Sequence, residues 1–191
     1  MNWIKETKLT ERFRGFLANK KNFTKNEIQT LSIESKNILN GFSNPKKNNL
    51  DKTGLVIGYV QSGKTTSYEY LISLAGDNGY RLVIVLPGTN KILLNQTFLR
   101  LNKEMGVGDG NFDLAILNNP GVGDEDNLIG YLNDPHKLVV IVAMKHYGRI
   151  QNVVDLLNRP KSLSSVPDSE NPYLHDEFYG YNTADDVSTL V

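Results

Sequence analysis

The sequence has no cysteine. Disulfides, thiolate-held metals, iron–sulfur clusters and cysteine nucleophiles are thereby excluded. It has no apolar run near the ~18–20 residues that a membrane-spanning helix needs. The first residues carry charge from Lys5 onward and lack the apolar centre of a signal peptide. The expected compartment is the cytoplasm, with no membrane partner. Net charge is lacking too, with 21 Lys/Arg against 21 Asp/Glu, which argues against a wholesale polyanion binder. Arginine is scarce, at 6 against 15 lysines, a bias we assign to base composition. The 191 residues, 39% hydrophobic and 22% charged, leave room for one domain or little more around a buried core.

The neutral total hides a gradient. Residues 1–53 carry 11 Lys/Arg against 5 Asp/Glu, a net of +6. Residues 54–108 carry 5 against 3, a net of +2. Residues 109–191 carry 5 against 13, a net of −8. The basic start suits a phosphate or nucleic-acid neighbour. The plainer reading is two solvated helices kept soluble by lysine.

Leu9, Phe13, Phe16 and Leu17 repeat at helical spacing. Thr24 and Glu27 form a capping-box pattern ahead of Ile28, Leu31, Ile38 and Leu39, and Gly41 suits the stop. Residues 43–53 are a polar linker, so residues 1–53 read as an N-terminal helical cap and linker. The pattern then changes to short apolar runs at Leu55–Ile57, Leu82–Leu86, Leu114–Leu117 and Leu138–Val142. Helical stretches are expected from Lys64 to about Ala75, Lys91 to about Glu104 and Arg149 to about Leu157, with a Gly- and acid-rich loop at 118–127. Strand–helix alternation at this spacing predicts an α/β fold with a parallel, doubly wound sheet over residues 54–158. Residues 159–191, rich in Pro and aromatics without periodicity, are expected to be an irregular acidic tail.

Gly58-Tyr59-Val60-Gln61-Ser62-Gly63-Lys64-Thr65 matches the phosphate-binding pattern G-x-x-x-x-G-K-[ST] in full. Gly58 lets the chain leave its strand, and Gly63 lets backbone approach a phosphate without a Cβ in the way. Amides from Gln61 and Ser62 through Thr66 can form an anion nest at the positive end of the following helix. Lys64 would reach the β/γ-phosphates of ATP, and Thr65 would offer its hydroxyl to Mg²⁺. The bare pattern arises by chance in roughly one chain of this length per hundred, given Gly at about 7% of residues. The plain alternative, a solvated surface turn, does not explain an apolar run that stops at Gly58.

The run Gly54–Thr66, with Asp77–Thr89 and Asn95-Gln96-Thr97 followed by Arg100, resembles the Z1 domain family over about residues 35–158. The resemblance implies a P-loop NTPase fold of RecA-like type, related to superfamily 2 helicases, in proteins commonly labelled endonucleases and linked to bacterial defence against foreign DNA. It places ATP phosphates on Gln61, Ser62, Gly63, Lys64 and Thr65 with Thr66 beside them. Lys64 and Thr65 would carry the catalytic contacts, and DNA contact would fall on Thr89, Gln96 and Arg100. The plain alternative makes Gln96 and Arg100 a solvated pair one turn apart, with Leu94, Phe98 and Leu101 facing the core.

The departures are as informative. A helicase-like ATPase needs an apolar strand ending in Asp-Glu, the Asp for Mg²⁺ and the Glu for the attacking water. Val139–Val142 runs into Ala143-Met144-Lys145, and Asp124-Glu125-Asp126 falls in a loop. Asp176-Glu177 follows only Tyr173, Leu174 and His175 after Pro172. The expectation is an ATPase core that stops short of this strand, with hydrolysis impaired or completed by the remainder of a longer chain or by a protein partner. Pro167-Asp168 is not followed by the lysine of a nuclease core, because Lys161 is the last lysine. His136, His146 and His175 show no metal-ligand spacing, and His146 reads as a surface group. Two other readings stay open: a nucleotide-binding adaptor without turnover, and a different P-loop enzyme. For the latter, Asn90-Lys91-Ile92-Leu93 lacks the final Asp of a guanine-binding motif, and residues 120–135 lack the arginines of a kinase lid.

Overall fold

A computed structural model describes residues 3–45, 64–107, 110–121, 123–162 and 189–190. The expected strand at Leu55–Ile57 and the domain boundary at residue 53 lie outside the described residues. The chain forms two compact units.

Unit 1 comprises residues 1–80 with 104–106. It contains α1 (Lys8–Lys20), α2 (Lys25–Asn40) and α3 (Lys64–Asp77). The helix expected to follow the phosphate-binding loop thus packs with the N-terminal helices. Phe13, Leu17, Ile28, Leu31 and Tyr70 form the centre, with Phe16 and Phe23 against them. Phe13 meets Tyr70 edge-on at 6.2 Å between ring centroids. The capping box forms as the sequence predicts: Thr24 N–H donates to Glu27 Oε2 at 2.7 Å and Glu27 N–H donates to Thr24 Oγ1 at 3.3 Å. Gly41 closes α2 at φ −72°, so its left-handed freedom is unused. Gly79 does use it: at φ 98° it turns the chain after α3, and Tyr80 N–H donates back to the Ala75 carbonyl at 3.1 Å.

Unit 2 comprises residues 81–103 and 107–191. Its strands are β1 (Leu82–Val85), β2 (Leu114–Asn118), β3 (Leu138–Val142) and the short β4 (Thr189–Leu190), in sheet order β2-β3-β1-β4 and parallel throughout. Its helices are α4 (Lys91–Glu104), α5 (Glu125–Leu132) and α6 (Tyr147–Ser162). The fold is α/β with a parallel sheet and helices, as the apolar runs predict. All five residues of β3 are buried, which requires the unbroken apolar run Leu-Val-Val-Ile-Val. Each such side chain contributes about 2 kcal/mol by burial. Leu82, Ile84, Val139 and Ile141 point to one face, where Leu128 and Leu132 of α5 and Val153 and Leu156 of α6 cover them.

Two elements differ from the sequence reading. The expected loop at 118–127 ends early, because α5 starts at Glu125. Asp124, Glu125 and Asp126 are acids at a helix start, where the dipole favours them. At the other end, α6 reaches Ser162 and Thr189–Leu190 pairs with β1, inside the stretch expected to be irregular; residues 163–188 between them lie outside the described residues.

Candidate functional site

Of the phosphate-binding motif, Gly58, Gln61, Ser62 and Gly63 lie outside the described residues. Lys64 opens α3, with Thr65 and Thr66 following in its first turn as described. Thr65 is half-buried and Thr66 buried. A 14-residue helix that starts on Lys-Thr-Thr fits a phosphate group, because its first amides carry no intrahelical acceptor and its dipole is positive there.

The orientation of α3 inside unit 1 is set by polar contacts that sequence reasoning missed. Glu6 sits under it: Oε1 accepts from Tyr70 Oη at 2.8 Å and from Ser32 Oγ, and Oε2 accepts from Arg14 Nη1 at 2.9 Å and Lys36 Nζ at 3.2 Å. Burial pushes the Glu6 carboxyl up, but hydrogen bonds from Ser32, Tyr70 and Lys36 outweigh it and hold its pKa below the ordinary carboxylate value. Burial, with the Glu6 acceptor, pushes the Tyr70 phenol up. At the far end of α3, Asn78 exchanges two hydrogen bonds with the backbone of Lys5, at 2.7 and 2.8 Å.

In unit 2 the carboxyl ends of the strands carry three loops that are tied together. Ala143 N–H donates to Val85 O at 3.0 Å, and Lys145 N–H to Gly88 O at 2.8 Å, joining the β3–α6 loop to the β1–α4 loop. On the other side Met144 N–H donates to Asn119 Oδ1 at 3.3 Å. Asn119 itself adopts φ 49°, a left-handed conformation that asparagine tolerates. Gly88, at φ 146°, has Leu93 Cδ1 only 3.3 Å from where a Cβ would stand, so a side chain there would be strained twice.

Thr89 is exposed just ahead of α4, and Asn90 caps that helix by accepting from Ile92 N–H at 2.7 Å. Gln96 and Arg100 are exposed and one turn apart; Leu94 and Leu101 face inward and Phe98 is half-buried, as the sequence predicts. The structure therefore places Gln96 and Arg100 on one helix face and Thr89 beyond its first turn. Ile92, Leu93 and Leu99 are also exposed on α4, by 64%, 46% and 65%. No pattern marked Lys145 and Tyr147, which stand exposed with His146 on the β3–α6 loop and the first residue of α6. The signal that finds them is positional: each follows a buried parallel strand at its carboxyl end.

The acidic candidates are occupied or undescribed. Asp124 Oδ2 accepts from Gly121 N–H at 2.9 Å and Glu125 Oε2 from Gly123 N–H at 2.7 Å, so both brace their own loop. Asp168, His175, Asp176 and Glu177 lie outside the described residues. Among the described residues no group of three or more His, Asp or Glu could hold a metal ion, and no helix is long and apolar enough to cross a membrane. No family model, curated protein or solved structure matches the chain.

Proposed function

We propose that the chain is an ATP-binding P-loop domain of a helicase-like ATPase, of the kind the Z1 resemblance implies, acting on DNA in bacterial defence. The observation that carries this reading is the complete Gly58–Thr65 motif running into α3 at Lys64, ahead of a parallel α/β sheet. In it Gly58 lets the chain turn out of its strand, Gln61, Ser62 and Gly63 begin the amide nest, and Lys64 holds the β/γ-phosphates. Thr65 offers its hydroxyl to Mg²⁺, with Thr66 beside it. When bound, the metal supplies charge neutralisation on the phosphate oxygens. Thr89, Gln96 and Arg100 contact the DNA backbone.

A second reading, a nucleotide-binding adaptor without turnover that regulates a partner protein, is favoured by one feature. β3 runs into Ala143-Met144-Lys145 with no carboxylate to order Mg²⁺ or the attacking water, and Asp124 and Glu125 are engaged in their own loop. Titration with ATP·Mg²⁺, paired with a steady-state phosphate-release assay, tests both. Binding lost in Lys64→Ala supports the P-loop, and turnover lost in the same variant selects the ATPase over the adaptor. Binding unchanged in Lys64→Ala overturns both.

A further inference from the structure

We propose that Glu69 is the positioning carboxylate of the ATP·Mg²⁺ site, accepting hydrogen bonds from water on the metal that Thr65 holds. The inference rests on the P-loop reading above and adds to it a carboxylate that β3 does not supply. Glu69 follows Thr65 by four positions on α3, so the two share one face of the helix. Neighbours at this spacing stand about 5–6 Å apart at Cβ. Long helical side chains lean back toward the N-terminus, over the turn that precedes their own. A carboxylate at position 69 is thus carried toward the turn of Thr65, at the positive end of α3.

Burial singles Glu69 out. Its exposure is 0%, in a stretch of α3 that is buried at every residue from 69 to 75. A glutamate is almost never fully buried unless it is paired or meets a cation. The same face continues to Ser73, whose hydroxyl is spent on the main chain, donating to the Glu69 carbonyl at 3.0 Å. The other described carboxylates of unit 1 have different work. Glu6 serves Ser32, Tyr70, Arg14 and Lys36, and Glu27 closes its capping box. Asp77 bonds the start of α1, Glu104 pairs with Lys21, and Glu11 and Glu34 are exposed. Mg²⁺ keeps several of its waters when it binds phosphates, and a carboxylate behind the hydroxyl ligand orders them.

Isothermal titration of the full chain with ATP, in Mg²⁺ and in EDTA, tests the role. Glu69→Gln keeps the shape and removes the charge. It is expected to lower ATP affinity in Mg²⁺ about tenfold, the size of effect seen when a group behind a metal ligand is lost, and to leave affinity in EDTA unchanged. Glu69→Asp keeps the charge but withdraws it by one methylene. It is expected to weaken binding in Mg²⁺ as well, and it carries the test if Glu69→Gln does not fold. Affinity in Mg²⁺ that the folded variants leave intact, or a loss that is equal in Mg²⁺ and in EDTA, makes Glu69 a structural group and overturns the proposal. Binding lost in Lys64→Ala then leaves the P-loop reading standing. ATP that fails to bind the wild-type chain in both conditions overturns the two together.

Discussion

Asp77 caps a helix it does not belong to. It is the last residue of α3, yet its Oδ1 accepts the backbone N–H of Leu9 at 2.9 Å, across 68 positions of sequence. Oδ2 accepts from Thr7 N–H at 2.8 Å, from Thr10 N–H at 3.0 Å and from Thr10 Oγ1. Thr7, at the N-cap, makes no side-chain cap bond of its own. A carboxylate at the positive end of α1 satisfies orphan donors and complements the dipole together. Asp77→Ala is expected to destabilise unit 1 by about 2 kcal/mol, the loss of a cap and of charge-assisted bonds. Asp77→Asn, keeping one acceptor oxygen, should fall between. The urea midpoint checks the size, and amide exchange at Leu9 and Thr10 checks the place; unchanged exchange there would refute the cap.

Glu6 makes the stability of the same unit depend on pH. Its folded pKa lies below the ordinary 4.5, so the unfolded chain binds the proton more readily. The Glu6 contribution is complete above that value and is lost as pH falls toward the depressed folded pKa. Tyr70 behaves oppositely, because its folded pKa is raised from 10.0. Its contribution is complete below pH 10 and declines as pH rises beyond it. Glu6→Gln should flatten the acid limb of a plot of stability against pH, and Tyr70→Phe the alkaline limb. A slope below pH 4.5 that survives in Glu6→Gln would assign the acid limb to other carboxylates.

The local elements were legible and the long-range ones were not. Thr24 and Glu27 stand three positions apart, so their capping box is written in four residues. Leu138–Val142 could be seen because a strand buried on both faces must be apolar at every position. α5 was hidden because its acids and Gly130 look like loop chemistry, while only Leu128 and Leu132 carry its buried face. The Asp77 cap and the Lys145–Gly88 bond join residues that no local pattern relates. The Gly58–Thr65 pattern was readable in full as sequence, but what brings the Thr89 and Lys145 loops together is the strand order, with β3 beside β1.

Lys64 is the point on which the proposed nucleotide binding turns. In the proposed ATP site its ammonium is the one charge the motif would bring to the β/γ-phosphates, and a charge-assisted contact of this kind contributes about 2 kcal/mol. Lys64→Ala is therefore expected to weaken ATP binding at least about tenfold by isothermal titration. The far-UV circular dichroism should stay unchanged, since alanine favours helix. Thr65→Val, which removes the hydroxyl and keeps the shape, should weaken binding with Mg²⁺ present more than without it. Equal effects in both conditions would detach Thr65 from the metal.

The outer face of α4 poses the sharpest choice, because Gln96 and Arg100 share that helix's exposed side with Ile92, Leu93 and Leu99. A phosphate backbone along this face would be served by cations, whereas a protein partner would be served by the aliphatic side chains. Leu99 is 65% exposed, so Leu99→Lys should change stability by less than about 0.5 kcal/mol. If α4 lies along DNA, Leu99→Lys tightens duplex binding and steepens its salt dependence, while Arg100→Ala lowers the logarithmic slope by about 0.9. Duplex affinity and slope left unchanged by both substitutions would take α4 out of the DNA interface, and the aliphatic side chains would then define the face as a protein-docking surface.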